Sequence, residues 1–249
     1  MSSPPIPRSF APVLRSEWLK IRTLRSLLGA LLALFAATTA FSAIAGVSET
    51  SDPEFDPLFM ALSGVAPGQI AAISFGAMAV SSEFHGGGLR LSLAAVPRRG
   101  RWFAAKLLAI GVPTLAVGLV TAFAALVVGR AGLGDAASGL STGEQTRGVV
   151  GCAVYLMLMA LFAAGVATLL RSGVGALSLI IPFILVVSFV IGDAAGAGVA
   201  DFLPDRAGQA VLYETPDRTL GPWPGLGVTA LWTAAALTAG AWSLRRRDA

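Results

Sequence analysis

Charge is scarce in this sequence. Of its 249 residues, 13% are Asp, Glu, Lys or Arg and 55% are hydrophobic. A water-facing domain carries roughly 25% charged residues, so this chain has too few to coat a soluble surface. Its one cysteine, Cys152, excludes an intramolecular disulfide. Its one histidine, His85, excludes an all-histidine metal site, and no Cys/His grouping has zinc spacing. The phosphate-cradling pattern G-x-x-x-x-G-K-[ST] is absent, so nucleotide binding of that kind is not expected. Neither HExxH nor a pair of intramembrane aspartates is present, which removes the usual groups of intramembrane proteolysis. A cleavable signal peptide is not expected either, because the first apolar run is too long and too strongly basic at its start.

What the chain has is long apolar runs. About 20 apolar residues cross a bilayer as a helix. The expectation is an all-α integral membrane protein, a single transmembrane domain over residues 1–249, with spans at 26–46, 58–80, 102–128, 148–170, 174–192 and 225–244. Pro67-Gly68-Gln69 is expected to kink the second span. Gln69 needs a partner inside the bundle, because lipid offers none. Arg171-Ser172-Gly173 is so short that spans four and five should be antiparallel neighbours. The acidic segment 193–224 is expected outside the cell. Its clusters Phe202-Leu203 and Val211-Leu212-Tyr213 could lie on the membrane or dip into it. Gly64-x-x-x-Gly68 and Gly192-x-x-x-Gly196 match the pattern for close helix packing.

Ahead of the first span, residues 9–25 read as a basic amphipathic helix on the membrane surface. Leu14, Trp18 and Ile21 fall on one side, Arg15 and Arg22 lie beside it, and Lys20 is on the other flank. Glu17 is the helix's one acidic residue. Between spans two and three lies the longest interruption on the same side of the membrane, 83–101, with Glu83, Arg90, Pro97, Arg98, Arg99 and Arg101. Lys106, one turn into span three, can snorkel back to the interface.

Six spans put both termini on one side. If that side is inside, only Arg130, Arg147, Arg206 and Arg218 of the 18 Lys and Arg residues fall outside, and only Glu17, Glu83 and Asp248 of the 14 acidic residues fall inside. The positive-inside rule then places both termini in the cytoplasm of a multi-pass plasma-membrane protein. The basic excess is spread over every inner loop, so nucleic acid is not the expected partner. Trp18, Trp102 and Trp242 would form the inner aromatic belt and Trp223 the outer one. The middle of every span lacks ionisable groups, so a carboxylate-based ion-coupling site has no candidate.

Two stretches carry a family resemblance. RSEWLKIRTLRS, from Arg15 to Ser26, is a basic helix running straight into span one. SSEFHGGGLRLSLAAVPRRGRWFAAKLL, from Ser81 to Leu108, has a Glu after span two, a Gly two residues before a Leu-Arg pair, then Leu, Pro, basic residues and a Lys. Together with the six-span layout, the chain resembles the permease subunits of type-two ABC exporters, particularly actinobacterial ones. Gly88 departs from the family, which more often carries a hydroxyl or larger residue there. The resemblance implies that 83–101 contains a coupling helix seated in a groove of a separate ABC ATPase, with Glu83, Arg90, Pro97, Arg98 and Arg99 forming or bracing that surface. The N-terminal helix, with Arg15, Glu17, Trp18, Lys20 and Arg22, would move with it. It also implies a dimer of permeases, identical or not, in a bacterial plasma membrane, exporting substrate with no cofactor of its own and no catalytic activity. ATP would be bound and hydrolysed by the partner.

A carboxylate at the end of span two opposes the helix dipole. Glu83 should therefore have a cationic partner, with Arg15, Arg22 or Arg90 as candidates, or it should cap the next helix after Ser82. The competing classes are a non-transporting membrane sensor or anchor and, ranked last, an ion-coupled secondary transporter.

Overall fold

The first break in the chain sets how the rest is laid out. In the computed structural model, which describes residues 10–47, 55–84, 88–96, 98–188, 198, 200–214 and 220–246, helix α1 (Ala11–Thr23) stops at Leu24. The extended backbone of Leu24 turns the chain into α2 (Arg25–Gly46). Arg25 therefore opens the first long helix; it does not close the amphipathic one.

The second apolar run is broken, but not at its proline. It forms α3 (Pro57–Ala61) and α4 (Val65–Ser81), separated by a turn at 62–64. Pro67 falls in the first turn of α4, where its missing N–H has no intrahelical partner to lose. The break belongs to Gly64. A Cβ there would run into the carbonyl of Thr38, and its N–H donates to Ser42 Oγ at 3.1 Å. The expected kink at 67–69 is thus corrected to 62–64, and the cause is close approach to α2.

A short helix, α5 (Gly88–Ala95), leads into α6 (Arg99–Leu133). At 1.5 Å per residue α6 is about 50 Å long, well beyond the hydrocarbon thickness of about 30 Å. A 3-10 turn (Gly134–Ala137) connects it to α7 (Thr142–Leu170), whose start is fixed by a reciprocal cap between Ser141 and Glu144. Arg171 takes a left-handed conformation and Ser172 caps α8 (Gly173–Pro182), so α7 and α8 are joined by the short turn that the sequence suggested. After Pro182 the helix widens into a π-helical turn, Phe183–Ser188. A short α9 (Pro204–Gln209) and the long α10 (Pro222–Arg246) complete the chain. No strand occurs among the described residues.

The protein is all-α, and three helical stretches are long and apolar enough to cross a membrane: Arg25–Gly46, Arg99–Ala137 and Thr142–Leu170. Val65–Ser81 and Gly173–Val186 are apolar but shorter.

The bundle has two distinct ends. At one, Arg99 donates to the carbonyl of Leu244, Gly173 packs on Ser81, and α1 lies against α6. This basic end carries Arg15, Lys20, Arg22, Arg25, Arg98 and Lys106. At the far end, Gly46 meets Gly129, and Arg147 donates to the carbonyls of Tyr213 and Glu214 at 2.7 and 3.2 Å.

Part of the segment expected outside the cell packs into the bundle, which settles whether its apolar clusters are free or anchored. Residues 200–214 return between α7 and α10. Thr229 donates to the carbonyl of Pro204 at 2.7 Å, Val211 packs on Gly151, and Val211 and Leu212 are fully buried. Tyr213 stacks on Phe59 with ring centroids 4.4 Å apart. Of the two apolar clusters, Val211-Leu212-Tyr213 is an anchor, while Phe202 stays exposed.

Candidate functional site

A buried charge cluster at the basic end joins four helices. It begins at the end of α4, where the turn 82–84 is held by Glu83 N–H donating to Val80 O (3.1 Å) and Phe84 N–H donating to Ser81 O (3.0 Å). This turn aims the Glu83 side chain back into the bundle, where it is 4% exposed. Its Oε1 accepts from Lys106 of α6 and from Lys20 of α1, both at 2.7 Å. Glu17, one turn before Lys20, is equally enclosed. It accepts from Lys20 at 2.9 Å and pairs with Lys106. Ser92 of α5 completes the set, donating to Glu83 Oε2 at 3.0 Å and accepting from Lys20 at 3.4 Å.

Two carboxylates and two ammonium groups alternate, so each charge faces opposite ones and the cluster is neutral. That balance is what allows the three enclosed charges, Glu17, Glu83 and Lys106, to sit out of water. Burial alone would push the Glu83 carboxyl up, but Lys106 and then Lys20 outweigh it and hold the carboxyl below its ordinary value of 4.5. Burial likewise works against the Lys20 ammonium, but hydrogen bonds to Glu83 and Glu17 and their charges hold it above its ordinary 10.5. The signs are opposite. The Glu83 contribution to stability is complete above 4.5 and fades as pH falls through its lower folded value. The Lys20 contribution is complete below 10.5 and fades as pH rises through its higher folded value. Unfolding midpoints measured against pH should therefore show no pH dependence from these two groups across neutrality, where both contributions are complete. Glu83→Gln should flatten the acid limb and also weaken the alkaline limb, because Lys20 loses one of the two carboxylates that hold its ammonium up; an unchanged acid limb would show that Glu83 is not the group titrating.

These partners correct two expectations. Glu83 pairs with Lys20 and Lys106, not with Arg15 or Arg22, which lie exposed on the opposite side of α1. The cap on α5 comes from the Glu83 carbonyl, which accepts from Leu89 N–H at 2.7 Å, while the carboxylate faces the lysines. Lys106 does not snorkel; it is 3% exposed and turned inward beneath Trp102, whose ring centroid lies 5.8 Å from Nζ. Trp102 is itself 1% exposed and so belongs to the core, whereas Trp242 and Trp223 are exposed as the aromatic-belt reading requires.

Above the cluster, the inward contacts made by the described side chains of α5 lie on one side. Leu89 and Leu93 pack with Val96 against Trp102, Phe103 and Leu244. On the opposite side Leu91 is 73% exposed, with Ala94 and Arg98 exposed near it. Arg99 is spent internally on the end of α10 through the Leu244 carbonyl. Of the remaining docking candidates, Pro97 and the Arg90 side chain lie outside the described residues. On α1, Trp18 is half-buried and Glu17 and Lys20 face the cluster. Sequence reasoning placed Glu17 and Lys20 only as helix residues. It missed Ser92, Leu91 and the inward turn of Lys106.

A second polar node lies along the middle of α7. Tyr155 donates to Gln69, and Gln209 Nε2 reaches Tyr155 Oη at 3.3 Å and Gln69 Oε1 at 3.5 Å. This supplies the partner that Gln69 was expected to need. The returning segment also brings Asp201 and Asp205 into the bundle, 9% and 5% exposed. The described helical spans carry no carboxylate in their middles; these two come from the segment between α8 and α10. Among the described residues no group of three or more His, Cys, Asp or Glu could hold a metal ion.

No family model matches the chain, and a search of curated proteins finds no match.

Proposed function

We propose that this chain is the membrane-spanning permease subunit of an ATP-driven exporter and that α5 docks a separate ABC ATPase. The observation that carries this reading is the one-sided seating of α5. Its inner side is fastened to the cluster through Ser92 and to α6 and α10 through Leu89 and Leu93, while Leu91 and Arg98 project outward. A push on the outer face of α5 is delivered through rigid, low-exposure contacts to α1, α4 and α6 together. A bistable bundle moved by a partner needs such a connection.

In this reading the basic end is cytoplasmic, in accordance with the charge asymmetry. The crossings are α2, α3 with α4, α6, α7, α8 and α10. Two permeases and two ATPases form the working unit. The partner supplies the energy, and the permease supplies contacts that differ between two states.

The test is co-expression with a candidate ATPase encoded nearby. Wild-type chain should co-purify with it and support ATP-dependent efflux. Leu91→Glu combined with Arg98→Glu should lower association by at least about tenfold, the scale of a central interface residue. The unfolding midpoint should not change, since both side chains are exposed. Intact association and efflux in that variant would overturn the docking assignment. Association without any ATP-dependent substrate movement would indicate a sensor or anchor.

A further inference from the structure

The outer face of α1 carries positive charge that no described residue answers. Glu17 is the only acidic residue of the helix, and the charge cluster turns it inward. Arg15 and Arg22, two turns apart, are exposed on the opposite side, and Arg25 is exposed at the start of α2. Among the described residues none of the three has an ion-pair partner, and the salt bridges of α1 are made by Glu17 and Lys20. The arginines are interleaved with exposed leucines, Leu19, Leu24 and Leu28, and this stripe continues along α2 through Leu32 and Phe35.

That continuity identifies what covers the face. α2 is long and apolar enough to cross a membrane, so its exposed Leu32 and Phe35 face acyl chains. Followed toward the basic end, the same stripe runs out of hydrocarbon at Arg25 and Arg22, at the depth of lipid phosphates. A guanidinium fork matches phosphate oxygens in pairs. The leucines set between the arginines continue the stripe that α2 presents along its membrane-crossing length, and this continuity favours a bilayer edge over a protein surface.

We propose that Arg15, Arg22 and Arg25 form a binding face for anionic phospholipid headgroups, and that this contact holds α1 so that Glu17 and Lys20 stay in the charge cluster. A free helix of 13 residues is marginal in water. α1 is gripped on its inner side by Glu17, Lys20 and Ile21, and the lipid grips its outer side. Membrane composition then acts on the same cluster that receives α5. The inference requires only that α2 spans a bilayer and does not depend on the transport reading.

The experiment uses the full chain in nanodiscs of phosphatidylcholine, with or without phosphatidylglycerol, and no ATPase. Phosphatidylglycerol should be enriched among lipids retained in native mass spectrometry and should raise the unfolding midpoint. Replacing Arg15, Arg22 and Arg25 singly by Gln should lower the enrichment by about fivefold each. The corresponding Lys replacements should keep a larger share than the Gln replacements. Arg245→Gln with Arg246→Gln, at the end of α10, should leave the enrichment unchanged. The proposal is overturned if the Gln variants retain phosphatidylglycerol as wild type does. It is also overturned if inorganic phosphate reproduces the stabilisation in phosphatidylcholine discs, since the ligand is then a small anion. In a separate co-purification with the ATPase, association that is lost in the Gln variants while lipid enrichment persists would assign the face to the protein partner and overturn the lipid assignment.

Discussion

Lys106→Met is expected to cost about 3–5 kcal/mol of stability, the usual result of removing one partner from an enclosed ion pair. Lys106 touches both Glu17 and Glu83, and all three are at most 4% exposed. The variant would leave two carboxylates facing each other with only Lys20 between them. Against a typical total of about 5–15 kcal/mol, that is a large fraction of what holds the fold. Adding Glu17→Gln should recover a substantial part, because Lys20 and Glu83 then form a balanced pair. The comparison is made by unfolding midpoint in detergent, with the two single variants and the double variant as a cycle. Equal losses in Lys106→Met and in the double variant would mean that packing, not charge balance, explains the effect.

Gly76→Val should be strongly damaging although it removes no charge. Gly76 of α4 lies against the backbone of α7, and an added Cβ would collide with the carbonyl of Ala160. Both sides are helix backbone, so neither can yield as a flexible side chain could. Overpacking of this kind costs about 1–3 kcal/mol or more. Gly29 gives the contrasting case on α2, where a Cβ would meet nothing within 4 Å. Gly29→Ala should stabilise the protein by about 0.5–1 kcal/mol through helix propensity. Opposite shifts in the unfolding midpoint would establish that α4 and α7 touch through their backbones. Similar shifts would refute the packing of α4 on α7.

The sequence announced the helices more clearly than their ends. Length and apolarity bring out α2, α6 and α7, because an apolar run of bilayer length is rarely compatible with a water-facing surface. The break at Gly64 was hidden behind Pro67, since a proline is a visible breaker while a glycine breaks only where another backbone comes close. The need of Gln69 for a partner could be read from the chemistry alone, but its identity could not, because Tyr155 and Gln209 are far away in sequence. The charge cluster shows the same limit. Glu83 visibly required a cation, and the arginines looked nearest. The lysines won because Glu17 and Lys20 share the inward face of α1, and which face turns inward is decided by α6. The return of 200–214 into the bundle was left open by its short apolar clusters, and it is decided by long-range contacts such as Val211 on Gly151 and Tyr213 on Phe59.

The meeting of α2 and α6 at the far end has a mechanical side. Gly46 lies against Gly129 and Gly132, backbone to backbone, with no side chain between them. Interlocked side chains set a register: to slide, ridges must lift out of grooves and drop into the next ones. A glycine seam has no ridges. It holds the two helices close while leaving the friction along their length low. At this end the pair can act as a bearing, whereas at the basic end the charge cluster pins α6 to α1 and α4. Toward this end the first long helix is thus set against α6 by backbone alone, and its register is carried by Thr38 and Ser42 against α4.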